Sequence, residues 1–231
     1  MNLFADALGW LTDAANWSGA GGIPARLGQH LWVTAAAVAI AAVLAIPTGV
    51  AIGHSRRGAG TVGAIVGAAR ALPTLGVLTV CALWLGIGVG APLVALVVLA
   101  VPSLLAGAYS GVQAVPSQTS SAACAIGMRP AQVIWQVELP LALPVIVGGL
   151  RAAVLQVVAT ATLAAYTADI GLGRYLFTGL KTRDYGQMLA AAILVILIAI
   201  ALELTLSAIQ RAVTARLMPR AAADSTTTAT T

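Results

Sequence analysis

Residues Ser121–Pro140 read SAACAIGMRPAQVIWQVELP, a polar, helix-compatible stretch set between long apolar runs. Two small residues (Ala122, Ala123) are followed four positions on by Gly127, and the segment closes on an aliphatic residue, a spacer and Leu-Pro (Val137, Glu138, Leu139, Pro140). The Leu-Pro end leads straight into another apolar segment. A small-residue helix, a glycine turn and a proline-led second helix in one short loop describe a shaped surface rather than a plain connection.

The surroundings make the chain a membrane protein. Apolar residues are 60% of the 231, charged residues only 8%, and the mean hydropathy is +0.97; soluble domains carry about 25% charged residues. Five stretches reach the roughly 20 residues that a helix needs to cross hydrocarbon: Leu31–Gly53, Val62–Leu85, Leu93–Val112, Leu141–Tyr166 and Met188–Ile209. Without water, backbone groups must be satisfied within a helix or a closed barrel, and runs of this length without period-2 alternation select helices. The fold class is therefore all-α and polytopic, with about five transmembrane helices. Small residues recur four apart at Gly49/Gly53, Gly63/Gly67, Gly86/Gly90 and Gly107/Gly111, candidate sites of close helix approach. Pro47, Pro73 and Pro102 fall within spans, where each removes a donor and bends the helix, which suits a translocation path better than a rigid anchor.

Residues 1–22 form a separate segment. Leu3, Phe4, Ala7, Leu8 and Leu11 recur at helical spacing with Asp6 and Asp13 off that stripe, so the segment reads as a short amphipathic helix on the membrane surface, the alternative being a loosely ordered terminus. Residues 23–217 make up the transmembrane domain, with residues 117–140 as its principal loop. Residues 218–231, rich in Ala, Thr and Ser, read as a disordered tail.

Orientation follows from the placement of Lys and Arg. With the N-terminus outside and the C-terminus inside, the inner segments hold Arg56, Arg57, Arg129, Arg211, Arg216 and Arg220 against Glu138 and Asp224. The outer ones hold Arg26, Arg174, Lys181 and Arg183 against Asp6, Asp13, Asp169 and Asp184, which cancel. This N-out, C-in arrangement puts the Ser121–Pro140 loop in the cytoplasm. The net charge of +5 is thus a consequence of topology, and no nucleic-acid partner is implied.

Chemistry within the chain is not indicated. Lys181, the only lysine, is not part of a phosphate-binding loop, so ATP hydrolysis would belong to a partner. Gly58, Gly60 and Gly63 spell GxGxxG but follow an apolar helix and a basic turn rather than a strand. His30 and His54 lie at opposite ends of one span, about 36 Å apart at 1.5 Å per residue, too far to share a metal. No catalytic, cofactor-binding or metal-binding residues are assigned. Cys81 and Cys124 fall on different levels and are expected as free thiols. The intramembrane charges are Arg70, Arg151 and Glu203. Arg151 lies eleven residues past Pro140 and Glu203 eight residues before Arg211, which sets both about 12–16 Å from the inner helix ends and predicts an Arg151–Glu203 salt bridge. Arg70 lacks an acid at its level, so it either bonds carbonyls freed by Pro73 or lines the path.

The Ser121–Pro140 register resembles the EAA loop of the membrane subunits of ATP-binding-cassette (ABC) importers, Glu-Ala-Ala, Gly, then Ile-x-Leu-Pro, with Ser121 in place of the usual Glu and Val137 in place of Ile. NWSGAGGIPARLGQHLWVTAAAVAIAAVLAIPTGVAIG (16–53), RALPTLGVLTV (70–80), VELPLALPVIVGGLRAAVLQVVATATLAAY (137–166) and GLGRYLFTGL (171–180) are similar to permeases of osmoprotectant importers for glycine betaine, carnitine or choline. The resemblance implies a type I importer permease in a bacterial cytoplasmic membrane. The permease would pair with a second, preferably non-identical permease and dock on ATPase subunits that carry ATP and Mg. Cargo would arrive from an extracytoplasmic binding protein, a compatible solute such as glycine betaine, carnitine, choline or a proline-like molecule. A type I permease for another small solute such as methionine is the alternative, and a secondary transporter fits less well because no internal repeat is present. The chain itself is then a transport subunit and not an enzyme. Carried onto this sequence, the ATPase-coupling residues are Ser121, Ala122, Ala123, Gly127, Met128, Trp135, Val137, Leu139 and Pro140. Candidate path residues are Arg70, Pro73, Gln156, Thr160 and Tyr166, and candidate contacts of the binding protein are Gly171, Gly173, Tyr175 and Phe177. Quaternary ammonium groups favour aromatic faces, and Trp84, Tyr109 and Tyr166 are the candidate cargo contacts, the alternative for each being packing or an interface anchor.

The orientation is checked by thiol labelling: Cys124 should react with a membrane-impermeant reagent only from the cytoplasmic side, with Cys81 protected, and labelling of Cys124 in intact cells would reverse both the topology and the loop assignment.

Overall fold

A computed structural model of the chain describes residues 2–56 and 59–217; Arg57, Gly58 and the tail from 218, with Arg220 and Asp224, lie outside the described residues. In chain order the helices are α1 (Leu3–Thr12), α2 (Ile23–Ser55), α3 (Ala59–Arg70), α4 (Thr74–Leu85), α5 (Gly90–Gln113), α6 (Ser117–Ala125), α7 (Pro130–Val133), α8 (Leu139–Thr160), α9 (Gly173–Thr182) and α10 (Tyr185–Leu217). A π turn, Ile134–Glu138, joins α7 to α8, and a 3-10 turn, Ala161–Tyr166, extends α8. Among the described residues four helical rods are long and apolar enough to cross a membrane, and the bent pair α3–α4 brings the number to five if it counts as one span.

The stretch Val62–Leu85, expected as one helix bent at Pro73, is instead broken there into two. The α3 and α4 axes differ by 86°, because Pro73 has no N–H to give and pushes Leu72 out of the helical region. Pro73 therefore ends up before the first turn of α4, not inside a kinked helix. Pro47, Pro102 and Pro144 do lie inside helices, in α2, α5 and α8. Pro140 lies at the start of α8. It has no N–H for the carbonyl four residues earlier, and the ladder widens just there into the π turn. The helical rod of the fourth span accordingly begins at Pro130 rather than Leu141 and continues to Tyr166. The second half of the Ser121–Pro140 loop is the foot of that span.

Helix α5 is central: 61% of its apolar stretch is buried, against 11% for α10. Its position depends on glycine. A Cβ on Gly107 would lie 2.7 Å from the Cα of Gly149 in α8, and one on Gly111 3.0 Å from the carbonyl of Ala142. Across the other face, a Cβ on Gly49 would meet Ala108 at 2.7 Å and one on Gly53 would meet Val112 at 2.8 Å. Two of the four sequence pairs are thus true close contacts. Around Gly63, Gly67, Gly86 and Gly90 a Cβ would find open space, so those pairs pack against nothing among the described residues. The core formed by α2, α5 and α8 includes Val33, Ala37, Ala41, Leu96, Ala100, Leu104, Ala153 and Val157.

The N-terminal segment is helical, with Leu3, Phe4 and Leu8 exposed. Ala7 is fully buried, and Asp6 abuts Gly186 at the start of α10. Helix α10 begins on Asp184, whose carboxylate accepts from the Gln187 amide at 2.9 Å, a helix N-cap in kind.

Replacing Gly107 with valine forces apart a backbone contact and should cost at least the roughly 1–3 kcal/mol typical of overpacking, seen as a lower thermal midpoint in detergent. Gly63→Ala, in open space, should be neutral or slightly stabilising; equal losses at both positions would remove the α5–α8 contact as the cause.

Candidate functional site

The loop after α5 is built in two helical pieces. Helix α6 ends at Ala125, and Gly127 takes φ +91 with nothing within 4 Å of a would-be Cβ, so the glycine is there for its backbone angle and not for space. The Met128 amide closes the turn on the carbonyl of Ala123 at 3.2 Å. Pro130 then occupies the first turn of α7, where its missing N–H is not needed, and the Gln132 side chain accepts from the Arg129 amide at 2.8 Å. Ser121, Ala122, Cys124 and Gly127 are exposed and Met128 is half-buried. Ile126 is 81% and Trp135 70% exposed, large apolar side chains held out at one end of the bundle. Ala123 departs from its sequence assignment: it is buried against the chain itself and cannot be part of an outward docking surface. Val137, Leu139 and Pro140 are half-buried at the foot of α8.

Glu138, read in the sequence as a spacer, is the buried acid of this region. It is 1% exposed, its Oε2 accepts from His54 Nδ1 at 2.7 Å, and its Oε1 accepts from the Ser120 hydroxyl at 2.8 Å. A buried carboxylate must be paired and hydrogen-bonded to persist. A second tie lies alongside: Arg56, in the left-handed turn after α2 (φ 52), donates to the Val115 carbonyl just before α6 at 2.7 Å.

Within the bundle the structure brings Arg151 and Glu203 together. Arg151 Nε donates to Glu203 Oε2 at 2.7 Å and Nη2 bonds Oε1, a two-pronged pair of the kind that fits guanidinium to carboxylate. Arg151 Nη1 also donates to Gln210 Oε1 at 3.1 Å, and Gln210 Nε2 donates to the Pro144 carbonyl at 3.1 Å. This Gln210 link was not anticipated. Arg70 does not bond the carbonyl of Ala69, which already accepts from the Leu72 amide at 3.4 Å. Its Nη2 reaches the Ser103 hydroxyl at 3.4 Å, and Ser103 donates to Gln156 Oε1 at 3.0 Å. Arg70, Ser103 and Gln210 line an open cavity of about 460 Å³ floored by Gly148 and Gly149. Of the other path candidates, Thr160 donates to the Gln156 carbonyl at 2.7 Å, Pro73 is exposed at the α3–α4 break, and Tyr166 is exposed with its ring 6.0 Å from that of Phe177. Neither Trp84 nor Tyr109 joins a ring pair among the described residues, and Trp84 is 89% exposed.

At the opposite end, residues 171–180 form a bend and the short helix α9. Gly171 (φ +71) supplies the bend, and its amide donates to Gln29 Oε1 at 3.0 Å. Gly173 has a different role, since any Cβ there would run into the carbonyl of Thr162. Tyr175 donates to the Gly21 carbonyl at 2.5 Å and lies edge-on to Trp10 at 4.9 Å; burial pushes its phenol upward despite the nearby Arg26, which keeps it protonated as a donor. Asp169 forms ion pairs with Arg26 (Nη2 to Oδ1, 3.0 Å) and Arg174 (Nε to Oδ1, 3.1 Å), and its backbone carbonyl accepts from Arg26 Nη1 at 2.6 Å, fastening this loop to the start of α2.

Residues 41–219 match the family described as binding-protein-dependent transport system inner membrane component. The chain is 33% identical over 192 residues to the choline transport system permease protein of Bacillus subtilis, covering 83% of this chain and 88% of that one. It is 33% identical over 189 residues to the glycine betaine/carnitine/choline transport system permease protein of the same organism, covering 82% and 87%. Among solved structures, an inward-facing conformation of the MetNI methionine ABC transporter superposes with a TM-score of 0.68 at 25% identity, over 82% of this chain and 96% of that one. The architecture is that of type I ABC importer permeases.

The ion pair gives a test. Glu203→Gln takes the counter-charge from Arg151, leaving it only amide partners such as Gln210, and should cost up to about 2.5–3.5 kcal/mol, read as a fall in the thermal midpoint. The exchanged pair Arg151→Glu with Glu203→Arg should recover most of that loss, and a double variant no better than either single one would break the assignment.

Proposed function

We infer that this chain, which belongs to the family of binding-protein-dependent transport system inner membrane components, is the multi-pass permease of an ABC importer that carries a compatible solute into the bacterial cytoplasm. The cargo class is glycine betaine, carnitine, choline or a related osmoprotectant, by analogy with the named substrates of relatives that align over four fifths of the chain. Energy comes from a separate ATPase, and an extracytoplasmic binding protein delivers the solute near α9. A second, non-identical permease completes the pair and can supply the acid that Ser121 lacks.

The observation that carries the reading is the α6–α7 loop. Its small-residue, glycine and Val-Glu-Leu-Pro register lies on two helical pieces, and it presents Ile126 and Trp135 to solvent. Exposed apolar side chains at a loop tip are costly unless a partner covers them. On this reading Ser121, Ala122, Gly127, Met128 and Trp135 face the ATPase, while Val137, Leu139 and Pro140 belong to the foot of α8. Arg70, Ser103 and Gln156 border the path between α3, α5 and α8. The likeness to a methionine transporter keeps methionine as the second cargo to try.

Reconstitution with the ATPase, second permease and binding protein should give hydrolysis stimulated by an osmoprotectant and not by methionine; the reverse would reassign the cargo while keeping the importer. Gly127→Leu puts a side chain at φ +91, a strain of about 1–2 kcal/mol for an L-residue, and reshapes the turn. It should leave membrane insertion intact but detach the ATPase or abolish stimulated hydrolysis. Normal uptake by that variant would remove the coupling role of the loop.

A further inference from the structure

Helix α6 has little apolar attachment to the rest of the molecule. Of its nine residues only Ala123 is buried, and Ser120 is half-buried. Such a helix can be pushed by a partner without moving the spans unless something stiffer than Ala123 holds it. The stiff element is the Glu138 carboxylate, which is 1% exposed and has one oxygen on Ser120 of α6 and the other on His54 in the last turn of α2. Glu138 itself is the last residue of the π turn at the foot of α8. One buried group therefore joins three elements that are remote in sequence, His54 being 84 residues and Ser120 18 residues away. The π turn is what permits this, because widening the ladder by one residue re-aims the side chain that follows.

We propose that Glu138 is a positioning residue that locks α6 to α2 and α8, so that displacement of the loop by a partner moves both spans as one body. The function of this lock rests on the importer reading given above, but its existence does not. Hydrogen bonds from His54 and Ser120 satisfy both carboxylate oxygens, and loss of either leaves a buried acceptor short of a donor. Ser120→Ala removes one arm of the lock without touching Glu138 or the exposed loop surface, and Ser120→Thr keeps the hydroxyl.

The experiment compares the wild type, Ser120→Ala, Ser120→Thr and Glu138→Gln in the full chain in nanodiscs. Hydrogen exchange of residues 117–127 and the alkylation rate of Cys124, a free thiol exposed on α6, are measured first. Solute taken up per ATP hydrolysed is then measured in the reconstituted complex. The lock predicts that Ser120→Ala and Glu138→Gln raise exchange in 117–127 by about tenfold, the factor for roughly 1.4 kcal/mol, with α2, α5 and α8 unchanged. Uptake per ATP should fall several-fold while basal hydrolysis persists, and Ser120→Thr should behave like wild type. Unchanged exchange in 117–127 would overturn the proposal, as would faster exchange spread evenly over the spans, or a loosened α6 with normal uptake per ATP. A wild-type complex with no solute-stimulated hydrolysis would instead count against the importer reading, and the exchange measurement would still decide whether the lock exists.

Discussion

Everything in this bundle depends on how closely its helices can approach, because lipid tails offer no hydrophobic drive for one apolar helix to prefer another. Dispersion contacts must supply the attraction, and they fall off steeply with distance. Gly107 against Gly149, Gly111 against Ala142, and Gly49 and Gly53 against Ala108 and Val112 bring α2 and α8 to the two faces of α5 at backbone distance. That clasp is what makes α5 the buried helix. It leaves α10 exposed, held to α8 through the Arg151–Glu203–Gln210 network and the seat of Gln210 against Gly148. Apolar packing fixes the inner three rods, and these polar contacts add to the packing of Ala190 and Ala191 in holding the outermost one.

What the sequence made legible was whatever has a fixed register. The spans declared themselves by length, and the two-piece loop by Gly127 and Pro130, whose backbone requirements are local. Arg151 and Glu203 could be matched because helix rise converts residue counts into depth, and an unpaired mid-span charge is expensive enough to demand a partner. The break at Pro73 was only half legible. A proline in an apolar run can kink a helix or end it, and tertiary context decides between the two.

The remainder was hidden because it depends on contacts between distant segments. Nothing local to Glu138 says that His54 and Ser120 will enclose it, and as a charge at the edge of a loop it looks solvated. One signal was available: an acid beside Leu-Pro at the foot of a span sits where helix and loop meet, and a histidine closes the neighbouring span at the same level. The role of Gly173 is hidden for a similar reason. Its chain position suggests a hinge, whereas the carbonyl of Thr162 occupies the space a side chain would need. Ala123 likewise belonged by motif to the outer surface and by geometry to the inner one. A helix only nine residues long must spend one face on holding its place.

The two halves of the loop are mechanically unlike, and the proposed coupling follows from that difference. From Pro130 onward the chain continues through α7 and the π turn into α8 and on to Tyr166, so force applied near Trp135 passes along a helical rod to the α5–α8 clasp. Helix α6 has no such continuity: Gly127 separates it from α7, and the turn before Ser117 separates it from α5. The Arg56–Val115 bond and the Glu138 carboxylate are what join it to α2. A push on both halves then reaches α2 through hydrogen bonds and α8 through backbone. Since α2 and α8 grip opposite faces of α5 by glycine contacts too tight to slide easily, the three rods would respond together. The bent pair α3–α4, packed more lightly against α5, would then be left as the element whose position relative to the others can change, and Arg70 stands at its elbow, beside the cavity.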